Sequence, residues 1–295
     1  MQTHPTDHTA PRMTPEALAH LRSWEGRTET LADSVTEVPV RGMAATLNLR
    51  PADLPADLPP LWHWLYFLPQ APRDEIGVDG HPRRGGFLPP VALPRRMWAG
   101  SRLQWHAPLQ VGDAIQRTSR IASVAHKAGR TGDLVFVKVQ HEVRRGSTPC
   151  ISEEQDIVYR ALAQPGDVSP APEAAPTDAV WSREIVPDPV LLFRYSALTF
   201  NGHRIHYDRS YATEQEGYAG LVVHGPMIAT LLVELARRER PGAQVAAFSF
   251  KAVRPTLDLH PFRVCGKPAA DGKSAKLWAH DHEGWLTMQA DIRFA

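Results

Sequence analysis

Cysteine is nearly absent: Cys150 and Cys265 are the only two in 295 residues. With no C-x-x-C pair, this argues against a disulfide framework and against a zinc cluster of thiolates. Charge of one sign is equally scarce. The 33 Lys and Arg against 32 Asp and Glu leave a net charge of +1. No global field draws nucleic acid, and no long basic run stands in for one. No stretch approaches the roughly 18 apolar residues of a membrane helix. Met1 to Arg12 is polar and lacks the apolar segment of a secretory signal. Residues 1–14 are expected to be disordered, with Met13 as an alternative start. These absences predict a cytoplasmic protein with neither nucleic-acid nor membrane partners.

The length suits one large domain or two of ordinary size. Residues 14–24 read as a helix, with Thr14 as N-cap and Pro15 at the first helical position. A second short helix is expected over 35–48, weakened by Pro39 and Gly42. Leu61 to Leu68 is apolar and aromatic, too short a run to separate helix from strand. Its Trp62, Trp64, Tyr66 and Phe67 either line a tunnel or fill a core. Arg73 to Pro94, with Asp79-Gly-His-Pro82, reads as an ordered loop.

From about residue 100 the texture is that of strands: 102–106, 114–126, 133–144 and 151–160, with a short turn at Lys127 to Arg130. Gln164 to Asp178 is dense in Pro, Ala and Asp and reads as a linker. Then the order repeats. Helices are expected over 190–200 and, amphipathically, over 227–240. Strands follow over 244–253, 261–268, 274–282 and 286–294. The pattern predicts an α+β chain whose architecture is duplicated. The halves would be 15–163 and 179–295, joined by the linker 164–178.

The chemistry concentrates in the second half. Phe193-Arg-Tyr-Ser-Ala-Leu-Thr-Phe-Asn-Gly-His-Arg-Ile-His-Tyr-Asp208 is followed by Gly220-Leu-Val-Val-His-Gly-Pro-Met227. Asn201 and His206 put an amide and an imidazole five residues apart. Gly225 puts a backbone N–H where a helix begins. An imidazole can take and return a proton near neutral pH. A helix-start N–H can stabilise an oxyanion.

These residues resemble the MaoC-like, R-specific enoyl-CoA hydratases. That signature reads Ser/Thr-Gly-Asp-x-Asn-Pro-Ile/Leu-His, followed by His-Gly-Met/Pro. Here the core is Thr199-Phe-Asn-Gly-His-Arg-Ile-His206 and the second element His224-Gly-Pro-Met227. The sequence is more similar still to the subgroup of type 2 hydroxyacyl-thioester dehydratases and mesaconyl-C4-CoA hydratases. Trp62-His-Trp-Leu-Tyr-Phe67, Gly85-Gly-Phe-Leu-Pro-Pro90 and Arg96-Met-Trp-Ala-Gly100 extend that resemblance over roughly residues 15–295. It implies a double hot-dog fold, two antiparallel sheets each wrapped round a central helix, with a degenerate first half. It also implies a hydro-lyase acting on an acyl-CoA. No cofactor is implied beyond the CoA of the substrate, and no metal. The chain would be a monomer or a homodimer.

On this resemblance His206 is the general acid/base, Asn201 the group that positions water, and Gly225 the oxyanion donor. Arg194, Arg204, His203, His224 and Met227 are candidates for substrate binding. The wider family carries Asp where Asn201 stands, and an amide cannot deprotonate water. Blander readings remain: Asn201-Gly202 as a turn pair, Gly225 as a steric glycine, Arg204 in a salt bridge with Asp208. A metal on His203, His206, His224 and Asp208 would need a convergence that the spacing does not guarantee. The substrates implied are 3-methylfumaryl-CoA, hydrated to citramalyl-CoA, or a 3-hydroxyacyl thioester of fatty-acid synthesis. Two further alternatives are a non-catalytic acyl-CoA-binding protein and a thioesterase using Glu234.

Overall fold

The computed structural model describes residues 13–50, 52, 54–129, 132–161 and 171–295. The expected disordered segment through residue 12, the tip of the turn at 130–131 and residues 164–170 of the expected linker lie outside them.

Local chemistry sets the helix starts. In α1 (Pro15–Arg22) the Thr14 hydroxyl accepts the Ala17 N–H at 3.1 Å, and Pro15 occupies the first position. In α3 (Pro189–Leu198) one Asp188 oxygen accepts the Val190 and Leu191 N–H groups at 2.8 and 2.9 Å. The first half runs α1, β1 (Thr28–Ser34), α2 (Glu37–Thr46), β2 (Arg95–Trp105), β3 (Ala114–Gly129), β4 (Gly132–Arg145) and β5 (Thr148–Arg160). The second runs β6 (Trp181–Ile185), α3, α4 (Gly225–Glu239), β7 (Val245–Ala252), β8 (Phe262–Pro268), β9 (Ser274–His280) and β10 (Leu286–Phe294).

The strands lie in the order β1-β3-β4-β5-β2-β7-β10-β9-β8-β6. Reading inward from either edge gives one connectivity twice, so the duplication of architecture is real. The two halves do not form separate sheets, however. β2 pairs antiparallel with β7, from Gly100↔Lys251 to Gln104↔Ala247, and fuses them into one ten-stranded sheet. Nor does each half have its own central helix. β1 and α2 match β6 and α3 in order, but only the second half goes on to a long helix. At that point the first half has a short 3-10 turn, Trp62–Leu65, and irregular chain.

The α4 helix lies against β6, β8, β9 and β10. Every residue from Met227 to Ala236 is buried. The expected amphipathic helix is therefore enclosed on all sides, and exposed residues return only in its last turn. Truncating a side chain such as Leu232, fully buried there, would cost about 2–5 kcal/mol. The aromatic run is mostly core: Trp62, Tyr66 and Phe67 are buried, and Trp64 packs edge-on to Trp98 at 4.9 Å. Beneath it Glu153 of β5 accepts from Trp64 Nε1 and Ser101, and its Oε2 lies 3.2 Å from His63 Nε2.

Two strands escaped the sequence reading. β1 has no fully buried residue, so its hydrophobic alternation is faint. β6 buries only Trp181 and Ile185 at its ends. β2 also starts earlier than expected, because Arg95 and Arg96 are strand residues despite their charge. Within the expected linker, Ala174 bridges to Trp285, so its described end lies along the second half.

Candidate active site

The site begins where α3 stops. Phe200 takes a left-handed conformation at φ 48°, the Asn201 N–H donates to Ser196 O at 2.8 Å, and the Phe200 N–H donates to Ala197 O at 3.3 Å. This is a Schellman stop with Phe in the place that glycine usually fills. It turns the chain so that Asn201 heads a short loop. The Asn201 Oδ1 then accepts the His203 N–H at 3.0 Å. The expected turn chemistry is present, and it occupies the amide oxygen. The Asn201 NH₂ remains as the group that can address a ligand.

A 3-10 turn, Arg204–His206, delivers the imidazole. His206 Nδ1 lies 2.7 Å from the Val222 carbonyl. A carbonyl only accepts, so Nδ1 carries the proton and Nε2 the lone pair. The ring is buried and stacks on His224, centroids 3.7 Å apart. His224 is fully buried, with Nε2 2.8 Å from the Ser196 hydroxyl and Nδ1 unpartnered. Burial lowers His206 to about 4 and His224 well below the ordinary imidazole range. Burial, with the nearby imidazoles adding to it, lowers His203 to about 2. All three are neutral bases at neutral pH.

Gly225 is the first residue of α4, with Pro226 next and no side chain capping the helix start. Its N–H finds no protein acceptor among the described residues. A β-carbon here would meet Met288 Cε and the Trp98 carbonyl, each at an ordinary 3.9 Å. Packing alone therefore does not demand glycine.

The remaining candidates divide. Arg194 is exposed on the face of α3 away from Tyr195 and Ser196, which the helix turns inward, so it is not brought to the site. Arg204 is held by Asp208, at 3.0 and 2.8 Å, and lies over the Tyr211 ring. Met227 is enclosed in the core rather than facing a cavity. Glu234 pairs with Arg237 at 2.7 Å, which ties the expected thioesterase carboxylate to the far end of α4. Asp208 is likewise committed to Arg204 and does not join the three histidines.

The first half supplies what the sequence reading did not place. The loop at 77–81 presses backbone to backbone against Gly202: a β-carbon on Gly80 would stand 1.8 Å from the Gly202 carbonyl. The Arg204 N–H donates to Asp79 O at 2.9 Å. His81 lies against His203, centroids 4.2 Å apart, and its Nδ1 is 3.2 Å from Asp79 Oδ2. Desolvation raises the Asp79 carboxyl, but the bond and charge of His81 outweigh it and hold the group well below the usual carboxylate range. Asp79, His81 and His203 offer donor atoms within 4.8 Å of one another. Arg84 and Arg96 both bear on His81 and work against a cation there. Next to this cluster opens a cavity of about 1010 Å³, walled by Asp79, His81, Arg84, Arg96 and Arg204 among others. The sequence signal was Asp79-Gly-His-Pro82, read there only as a loop.

Comparison with known proteins identifies the family. The family described as Hydroxyacyl-thioester dehydratase type 2 matches residues 61–258. A mesaconyl-C(4)-CoA hydratase of Chloroflexus aurantiacus is 50% identical over 92% of this chain and 96% of its own. The mitochondrial hydroxyacyl-thioester dehydratase type 2 of Schizosaccharomyces pombe is 26% identical over 80% of this chain and 88% of its own. Among solved structures, HtdX of Mycobacterium tuberculosis superposes with a TM-score of 0.64 at 19% identity, covering 91% of this chain and all of that one. That likeness establishes the double hot-dog fold, here with its sheets fused. On the extent of the family match and the 50% identity, the chain belongs to the hydroxyacyl-thioester dehydratase type 2 family.

Proposed function

We propose that the chain is a hydro-lyase that adds water to the double bond of an enoyl-CoA, or removes it, with 3-methylfumaryl-CoA and citramalyl-CoA as the preferred pair. The observation that carries the reading is the His206 tautomer. Nδ1 is pinned to Val222, and the free Nε2 belongs to a neutral imidazole near the start of α4. The half-identical hydratase supports the substrate choice.

The steps follow from these groups. The Gly225 N–H and the positive end of α4 polarise the thioester carbonyl. His206 Nε2 takes a proton from water as the water oxygen bonds to the β-carbon. The displaced π pair moves toward the thioester oxygen as an enolate. The imidazolium then returns its proton to the α-carbon, which restores the carbonyl and leaves His206 neutral. Asn201 orients the water through its NH₂ and need not act as a base. CoA enters as part of the substrate, and no metal or redox cofactor is required.

The test is a hydration assay on 3-methylfumaryl-CoA beside crotonyl-CoA, following loss of the conjugated thioester absorbance, with free thiol measured in parallel. Fast loss with the first, slow loss with the second and no thiol released is the expected result. Loss with crotonyl-CoA alone would favour the fatty-acyl dehydratase reading that the fission-yeast relative supports. Thiol release would replace the lyase with a hydrolase.

A further inference from the structure

The cavity wall carries Arg83, Arg84, Arg96 and Arg204 beside Asp79, Glu214 and Glu216, and, the exposed Arg83 aside, its guanidinium groups are not equally occupied. Arg204 is paired with Asp208 at 2.8 Å, and nearby Arg95 with Glu216 at 3.0 Å. Arg84 donates to the backbone carbonyls of Val91, Leu93 and Pro94. Asp79, a carboxylate on the wall, is engaged by His81. Arg96 has no acidic partner among the described residues; the polar side chain beside it is Tyr159, its cross-strand neighbour between β2 and β5. Tyr159 is fully buried; the Arg96 guanidinium acts on its hydroxyl oxygen as a donor, and no acceptor for the phenolic proton lies within hydrogen-bond reach among the described residues. A guanidinium without a counter-ion, next to a buried hydroxyl whose proton has no acceptor, is an arrangement that an anion completes.

Position decides which anion. Arg96 and Trp98 lie on one face of β2, about 7 Å apart at strand spacing. The Trp98 carbonyl is 3.9 Å from where a Gly225 β-carbon would sit. Arg96 also acts electrostatically on His81 and His203. It therefore stands close to the point where the thioester carbonyl is held. The free carboxylate of a C4-dicarboxylyl group is only a few bonds from that carbonyl. The phosphates of CoA are a whole pantetheine arm away. We propose that Arg96, with the Tyr159 hydroxyl as second donor, binds the free carboxylate of the acyl group and selects dicarboxylyl over monocarboxylyl thioesters. This rests on the thioester reading above and turns from Arg194 and Arg204, the arginines first considered for substrate binding, to Arg96.

Binding of unreactive saturated analogues tests this without requiring turnover. Wild type, Arg96→Met and Arg96→Lys are titrated calorimetrically with succinyl-CoA and with butyryl-CoA. Wild type is expected to prefer succinyl-CoA. Arg96→Met loses about 10- to 100-fold in that affinity, the scale of a charge-assisted pair, while butyryl-CoA binding holds. Arg96→Lys falls between, because it keeps charge but not the fork, and it still tests the residue if the Met variant folds poorly. An equal loss for both ligands would place Arg96 on the shared CoA moiety and overturn the proposal, as would a wild type without preference. Hydration of 3-methylfumaryl-CoA is scored separately, so the reaction assignment can fail while the carboxylate contact stands, or the reverse.

Discussion

The His206 imidazole lies flat on that of His224, centroids 3.7 Å apart and planes 19° from parallel. Two imidazolium rings would not stack so closely without a counter-ion. Burial resolves this by holding both neutral, His206 at about 4 and His224 lower still. A base with a depressed pKa stays unprotonated further into acid. The acid limb of kcat/KM is therefore expected near pH 4 rather than near the ordinary histidine value of about 6.5. The sign for stability is the same. Because the unfolded chain protonates these histidines first, their contribution is complete above about pH 6.5 and fades as pH falls toward 4. Rate profiles and melting curves over that range check both statements, and an acid limb at 6.5 would remove the neutral-base account.

Replacing His206 by Ala should lower turnover by about 100-fold or more, the usual contribution of a positioned general acid/base. The Val222 carbonyl loses its donor, so some stability is lost too, on the order of 1 kcal/mol. Single-turnover rates and thermal melts separate the two. Near-normal turnover in a folded variant would remove His206 from the mechanism.

Gly225→Ala discriminates a steric glycine from a working N–H. The new methyl finds only ordinary contacts at 3.9 Å and helical backbone, so folding should be nearly unaffected. It would nonetheless stand beside the amide where the substrate oxygen must approach. Turnover is expected to fall about 10-fold or more with the melting temperature within a degree or two, an expectation set by the cost of disturbing one oxyanion donor. An equal loss of fold and function would make Gly225 structural.

Gly80→Ala tests whether the first half is needed at the site. Alanine there meets two obstacles: φ of +88° and a carbonyl 1.8 Å away. Gly284→Ala is the matched control, because Gly284 has the same φ with nothing within 4 Å. The control should lose only the left-handed penalty, about 1–2 kcal/mol. Gly80→Ala should lose more, and it alone should reduce kcat/KM, by undocking Asp79 and His81 from the Asn201–His206 loop. Equal behaviour of the two variants would mean that docking of this loop does not matter for activity.

How much of this was written in the sequence depends on the range of each interaction. Thr14-Pro15 announced its helix because capping is local, and β4 showed its alternation because one face is buried. Asn201, His206 and Gly225 stood out as candidates because they lie in two neighbouring motif elements, 199–206 and 224–227. The turn at Phe200 was not, because a Schellman stop there uses Phe where the pattern looks for glycine. Arg96, His81 and Asp79 reach the site only because β2 pairs with β7 and the loop at 77–81 crosses onto Gly202. Nothing near them in sequence reports that crossing. Arg194 drew attention by lying within the motif, yet helical geometry turns it outward.

Asn201 separates turn chemistry from water chemistry. Its Oδ1 holds the His203 N–H at 3.0 Å, a role that Asp can also fill and Ala cannot. Its NH₂ can donate to a water oxygen, a role that neither replacement keeps. Asn201→Ala should therefore lower kcat about 10- to 100-fold, since it loses both the turn bond and the donor. Asn201→Asp keeps the turn and puts a carboxylate near His206. That negative charge favours the imidazolium, so the acid limb of the rate profile should move upward from pH 4. It also provides the second base of the wider family, so activity should be higher than in the Ala variant. Parallel pH profiles of the three proteins decide the matter: full activity in both variants would reduce Asn201 to a turn residue, and an unmoved acid limb in Asn201→Asp would mean that this side chain does not face His206.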